Sequence, residues 1–259
     1  MIENKFLFLK STKTKFLSFC NIFVLLFFVF FMSLIISGCA SKVSSNTSTE
    51  IYDPIEPLNR FVFEFNNVVE VVVLSPVSSI YSAVFPDVVR DSVRNFLRNL
   101  ETPVTLANDI FQGEHLRARD TSMRFLINTT AGVLGLFDVA AHFDYKYHHE
   151  DFGQTLAMYG VGQGPYLVLP LLGPSSLRHT TGRATDIFLS PMTYVNDVEN
   201  INYGLRGIRI IDGHSRIMDT LSDLKKDSLD YYSLIRSVYS QRRKSVILNE
   251  NKNLEKKSK

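Results

Sequence analysis

An apolar run of 21 residues, Phe16–Ile36, follows the basic start Lys5/Lys10/Lys13/Lys15 and closes on Ile36-Ser37-Gly38-Cys39. A charged start, an apolar middle and a small-residue junction are the layout of an export signal. A cysteine directly after the junction makes it the layout of a bacterial lipoprotein signal. In that pathway the thiol receives a diacylglycerol, cleavage falls before Cys39, and the new amine is acylated. The run is also long enough to cross a bilayer, so an uncleaved anchor is the alternative. Both readings put the rest of the chain beside a membrane. Only two cysteines occur, Cys20 and Cys39. One leaves with the signal and the other carries lipid, so the exported fold keeps no thiol for a disulfide or a thiolate metal site. Packing, the membrane or a partner must hold it together.

Removal of residues 1–38 leaves 221 residues with 24 basic and 25 acidic side chains. That length suits one domain with a sizeable core. The near-zero net charge supplies no field for nucleic acid. Residues 39–50 are rich in Ser, Thr and Asn and read as a flexible tether. Ala40, not Asp, follows the cysteine, which in two-membrane bacteria favours sorting to the outer membrane. The folded part spans 51–243, and 244–259 reads as a basic, unstructured tail.

Within the folded part the period is helical. Leu58, Phe61, Phe65 and Val68/Val69 recur at three- and four-residue spacing after Pro54 and Pro57. Asp87 is a candidate N-cap for a helix over Val88–Leu100, with Glu101-Thr102-Pro103 as its stop. Short helices follow over Leu106–Phe111 and Leu116–Thr130. Ala131–Phe137 is apolar and uncharged with two glycines, which fits a turn between two apolar arms better than a strand. From 151 to 182 glycine and proline dominate, with Tyr166–Leu169 as a short strand. A period near 3.5 from Tyr203 to Arg243 predicts one long helix, kinked at Gly213. The fold class is mainly α.

Several chemical signals carry little. His142, His148, His149, Glu150 and Asp151 lack the spacing of a metal motif and read as a solvated or interfacial loop. Gly160-x-Gly162-x-Gly164-Pro165 lacks the lysine of a phosphate loop and reads as rigid turn geometry. No GxSxG is present, and Ser175-Ser176 reads as a helix cap. Two apolar segments stand out, Phe61–Val73 and Ala131–Phe137. Each is either core or lipid-facing surface.

Asp53-Pro54-Ile55-Glu56-Pro57-Leu58-Asn59-Arg60 opens a series of blocks that resembles the MlaA (VacJ) lipoprotein family. The series continues through Asn99-Leu100-Glu101-Thr102-Pro103 and Arg124-Phe125-Leu126-Ile127-Asn128-Thr129. It is densest at Asp151-Phe152-Gly153-Gln154-Thr155-Leu156 and Tyr159-Gly160-Val161-Gly162, and closes at Gly173, Arg178 and Gly182. His179-Thr180 departs from the family where an acidic residue usually follows the arginine. The resemblance implies a disc of amphipathic helices around a central pore, with a glycine-containing apolar hairpin and a long C-terminal helix. It implies a non-enzymatic outer-membrane lipoprotein, seated in the inner leaflet and facing the periplasm, that takes phospholipids from the outer leaflet. Its implied partners are phospholipid, a trimeric outer-membrane porin and a periplasmic lipid-carrier protein, with no cofactor and no metal.

On this reading Cys39 is the lipidation site. Asn128, Gly132, Val133, Leu134, Gly135, Leu136, Phe137 and Asp138 are the candidate pore and hairpin, where the glycines allow bending. Phe61, Phe65 and Val69 are the candidate membrane-facing residues. Asn128, Asp138 and Arg124 would supply the polar side of a channel, or else serve as a helix cap or core ion pair. A membrane-anchored phospholipid hydrolase and a structural envelope lipoprotein are the alternatives.

Overall fold

The computed structural model describes residues 51–195 and 199–257. Cys39, the signal and the whole of the 39–50 tether lie outside the described residues.

Helix α1 (Glu56–Val69) begins where Pro57 fits its first turn and Glu56 pairs with Arg60 one turn on, at 2.7 Å. Its inward face is largely polar. Asn59 donates to the Tyr166 carbonyl at 3.0 Å and accepts from the Val168 amide at 2.9 Å. Asn66 does the same for the Leu169 carbonyl and the Leu171 amide, with Phe63 buried between them. The apolar stripe of Leu58, Phe61, Phe65 and Val68 therefore faces outward. A π-helical turn, Glu70–Leu74, joins α1 to α2 (Ser75–Val84), and the Ser75 amide reaches back five residues to the Glu70 carbonyl. The wide turn sits just before Pro76, which has no N–H to return to the preceding turn. The whole run, Glu56–Val84, is 29 residues and almost unburied. It is about 43 Å long at 1.5 Å per residue.

Helix α3 (Asp87–Phe111) corrects two expectations. Pro86 occupies the N-cap position, and Asp87 lies inside the helix bonded to Arg90. The helix also runs straight through Pro103, so the predicted stop and the separate Leu106–Phe111 helix are one element. A mid-helix proline costs about 3 kcal/mol. Here contacts on both sides of it offset that cost: Leu97 and Asn99 are buried before Pro103, and Thr105, Asn108 and Asp109 after it. Arg209 also donates to the Leu97 carbonyl at 3.3 Å. Helix α4 (His115–Thr130) packs antiparallel on α3, with Thr121 bonded to Asp109 and Asn99 to Thr129.

Asp151 caps α5 (Phe152–Met158) by accepting the Gln154 amide. The expected strand β1 (Tyr166–Leu169) pairs with an unexpected β2 (Gly173–Ser176) in an antiparallel hairpin, Tyr166 facing Ser176 and Leu169 facing Gly173. Gly-Pro-Ser-Ser shows no apolar alternation, which hides it from a periodicity reading. Ser176 caps α6 (Leu177–Leu189) as expected, accepting the His179 amide. Helices α5 and α6 touch at glycine: a Cβ on Gly182 would lie 2.2 Å from the Gly153 nitrogen.

The single C-terminal helix is instead three, α7 (Glu199–Ser215), α8 (Met218–Asp227) and α9 (Tyr231–Lys257). Gly213 lies inside α7. The first break follows Ser215, where Arg216 folds back onto the Asp212 carboxylate at 3.0 Å. At the second, Asp230 accepts the Ser233 amide and hydroxyl as a cap and pairs with Arg60 at 2.7 Å. Helix α9 continues past Arg243 to Lys257 where an unstructured tail was expected, since no Gly or Pro interrupts it. Arg236 binds α9 to Asp53 and Glu56 at 2.8 and 2.9 Å. The apolar core cluster is small: Phe63, Tyr166, Val168 and Tyr232, with ring contacts of 5.4 to 6.1 Å.

Candidate functional site

Residues 131–137 form a tight turn between α4 and the short 3₁₀ segment Val139–Phe143. Its amides fold back onto the end of α4: Leu134 on the Thr129 carbonyl at 2.9 Å, Gly135 on that of Asn128 at 2.7 Å. Val133 and Leu134 adopt left-handed backbone angles, φ 53° and 58°, which are costly for side chains that carry a Cβ and must be held by their surroundings. The side chains of Val133, Leu134, Leu136 and Phe137 point outward, while Gly132 and Gly135 are buried. The glycines are points of close approach in a bonded turn. A Cβ on Gly132 would stand 2.3 Å from the Phe137 carbonyl oxygen, and one on Gly135 2.4 Å from the Asn99 Cβ.

Behind the turn the structure brings Arg124, Asn128 and Asp138 together. Arg124 holds both Asp138 oxygens at 2.8 Å, and Asn128 donates to Asp138 at 3.0 Å while accepting the Ala140 amide at 2.9 Å. Arg124 also donates to the Tyr145 carbonyl. Burial works to raise the Asp138 pKa, but hydrogen bonds from Arg124 and Asn128 outweigh it and hold the carboxyl below its ordinary value. The three residues thus form the ion pair and cap that were one of the two expectations. They also line a small polar recess, completed by Asn95, Arg98, Asn99, Thr102 and Tyr147. Arg98 lies over the Tyr147 ring at 4.3 Å. Arg98 and Tyr147 carried no signal in the sequence, because 49 residues separate two partners that meet only in the fold.

Of the three candidate membrane-facing residues, Phe61 is 73% and Phe65 49% exposed, whereas Val69 is half-buried. Val72, Ile80 and Val84 extend the outward apolar face along the π-helical turn and α2.

The acidic and histidine cluster is a correction, because two of its members are interior. Glu150 is buried against Arg117 and Gln112, and Asp151 against Arg243 at 2.6 Å. Burial works against the Asp151 carboxylate, yet the hydrogen bond from Arg243 keeps its pKa below the ordinary value. His148 meets Asp109, from the far end of α3, at 3.0 Å. Ligand atoms of Asp109, His148 and Glu150 lie within 4.8 Å of one another, close enough to hold a metal ion. Thr121, Arg117 and Gln112 already occupy the two carboxylates, which makes the trio part of a hydrogen-bonded interior.

The family model for the MlaA lipoprotein matches residues 51–246. The chain belongs to the MlaA lipoprotein family. Among its relatives, the intermembrane phospholipid transport system lipoprotein MlaA of Escherichia coli K12 is 32% identical over 210 residues, 79% of this chain and 81% of that protein. The MlaA protein of Haemophilus influenzae is 28% identical over 215 residues, 81% and 84% of the two chains. An uncharacterised protein of Rickettsia conorii is 36% identical over 205 residues, 79% and 81%. A solved structure, described as the structural basis for maintenance of bacterial outer membrane lipid asymmetry, has a TM-score of 0.68 and 32% identity. That match covers 75% of this chain and 98% of the other. The mainly helical fold expected of an MlaA protein is therefore the one observed.

Proposed function

We propose that this chain is an envelope lipoprotein of intermembrane phospholipid transport, acting by binding and passage and not by catalysis. Anchored through Cys39 in the inner leaflet of the outer membrane, it removes phospholipid from the outer leaflet through a pore and passes it to a periplasmic carrier. A trimeric porin holds it in place. The MlaA membership supports this reading, and one structural observation carries it. Among the described residues, only six apolar side chains are buried against twenty polar or charged ones, while Leu58, Phe61, Val72, Ile80 and Val84 face outward. In water such a distribution exposes an apolar patch and buries groups that prefer solvent. In lipid it is the favourable one, because the outward helices lie in acyl chains and the polar interior offers headgroups a path. The outward side chains of the 131–137 turn then line the apolar wall, beside the recess formed by Arg124, Asn128 and Asp138.

The test is complementation of a strain lacking the gene, with outer-leaflet phospholipid measured by chemical labelling of intact cells. The wild type lowers the surface phospholipid of the deletion strain, and Val72→Glu/Ile80→Glu leaves it high at equal protein level. Full rescue by the charged variant, no surface phospholipid phenotype on deletion, or fatty acid released by the purified protein would each contradict the proposal.

A further inference from the structure

Four arginines near the recess are each matched to a carboxylate. Arg94 pairs with Asp91 at 2.9 Å, Arg124 with Asp138 at 2.8 Å, Arg209 with Glu101 at 2.6 Å and Arg216 with Asp212 at 3.0 Å. Arg98 is the exception. Among the described residues its guanidinium has neither a carboxylate nor a hydrogen-bond acceptor, and its central carbon lies over the Tyr147 ring, 4.3 Å from the centroid. A cation–π contact uses none of the five guanidinium N–H donors, so they remain available. Asp138, the carboxylate of the recess, is committed to Arg124 and Asn128. The recess therefore holds one uncompensated positive charge among neutral amide and hydroxyl groups. Asn95, Arg98, Asn99 and Thr102 share one face of α3 at three- and four-residue spacing.

We infer that Arg98, lying over Tyr147, is a phosphate-binding point of the recess and takes the phosphodiester of a phospholipid headgroup. This rests on the transport reading above. A planar guanidinium with free N–H donors suits two phosphate oxygens, and such charge-assisted pairs are about twice as strong as neutral hydrogen bonds. The recess lining is almost wholly polar, with Asn95, Asn99, Thr102 and Asn128 beside Arg98, which suits a headgroup and not an acyl chain. The surroundings separate a lipid from a free phosphate ion. Asn99 lines the recess and donates to the Leu134 carbonyl at 3.3 Å, so the polar site borders the turn whose Leu134, Leu136 and Phe137 side chains face outward. An anion here has an apolar neighbour, as the phosphate of an amphiphile requires. Arg98 acts as an electrostatic foothold between the apolar wall and the braced interior.

The experiment is calorimetric titration of the purified full-length lipoprotein in detergent with three probes: dihexanoylphosphatidylglycerol, dihexanoylglycerol and inorganic phosphate. Arg98→Gln and Arg98→Lys are compared with wild type after matching their thermal unfolding. The phospholipid binds the wild type more tightly than inorganic phosphate does. Arg98→Gln weakens its binding tenfold or more, and Arg98→Lys, which keeps the charge but not the fork, weakens it less. Dihexanoylglycerol binds all three proteins equally and weakly. Unchanged phospholipid affinity in Arg98→Gln would overturn the site and leave the transport reading standing. Inorganic phosphate binding as tightly as the lipid would make this a phosphate-ion site. No phospholipid binding to the wild type would bring down the transport reading, and this site with it.

Discussion

The run α1–α2 and the junction of α3, α4, α5 and α6 divide the side chains in opposite ways. Along Glu56–Val84 most apolar side chains other than Phe63 point out, with Phe61 at 73% and Ile80 at 64% exposure. At the helix junction the deepest groups are polar. Asn108 accepts from Thr155 at 2.8 Å and donates to Asp186 at 3.0 Å, and Asp109 accepts from Thr121 at 2.6 Å. Both α1 and α3 are strongly amphipathic, so amphipathicity alone does not say which side faces in. The partners decide it. On α1 the inward side is chosen by Asn59 and Asn66, whose amides satisfy hairpin backbone that would otherwise be orphaned. The interior is held largely by hydrogen bonds, and on the proposed reading the apolar outside faces lipid.

This contrast breaks first if the interior tolerates loss of a partner. Arg124→Ala leaves Asp138 half-buried without its counter-ion, and we expect a loss of about 3 kcal/mol in a denaturant titration in detergent. The double variant Arg124→Met/Asp138→Leu recovers most of it, because no unpaired charge remains. A loss equal to that of the single variant would mean that the ion pair itself carries the stability.

The pH dependence sharpens the same side of the contrast. Burial pushes His179 down to about 4, helped by Arg243 and Arg183 and opposed by Asp151, with Tyr239 and His149 also close by. The unfolded chain takes up this proton near pH 6.5 and the folded chain does not. The contribution of neutral His179 is therefore complete above pH 6.5 and is lost as pH falls toward 4. Between pH 7 and pH 5 the wild type should lose about 1–2 kcal/mol more than His179→Gln, read as the difference between their unfolding midpoints. Equal losses would show that the imidazole is not buried in its neutral form.

The smallest effect belongs to the outer face. Val72→Ser and Ile80→Ser touch no interior partner and should each change the detergent unfolding midpoint by under about 0.5 kcal/mol. A cost comparable to that of Arg124→Ala would place these residues in a packed core.

Much of the fold was legible because helical period and turn chemistry are local. The α1 stripe, α4, β1, the 131–137 turn and the Ser176 cap all follow from neighbours in sequence. What was hidden depends on distant partners. Pro103 reads as a stop until residues buried on both sides of it, and Arg209 from α7, hold the helix together. The C-terminal pattern reads as one helix because the breaks are made by Arg216 returning to Asp212 and by Asp230, which caps α9 while gripping Arg60. In the candidate site, Asn128 and Asp138 were visible as polar residues flanking an apolar turn. Their bidentate brace with Arg124 was one of two open readings. His148 and Glu150 were visible as a cluster, but their meeting with Asp109 was not legible, since the contact joins residues 39 positions apart.

The most direct test of the inverted arrangement is the depth of single spin labels on the lipidated protein in phospholipid vesicles, by power saturation with oxygen and with a water-soluble nickel chelate. Both native cysteines precede residue 40, so a cysteine introduced at Phe61, Val72, Ile80 or Asn95 can be labelled selectively. The account predicts that labels at 61, 72 and 80 are accessible to oxygen and protected from nickel, while a label at 95, beside the polar recess, remains accessible to nickel. Labels at 61, 72 and 80 relaxed by nickel as strongly as the one at 95 would place the apolar face in water and contradict it.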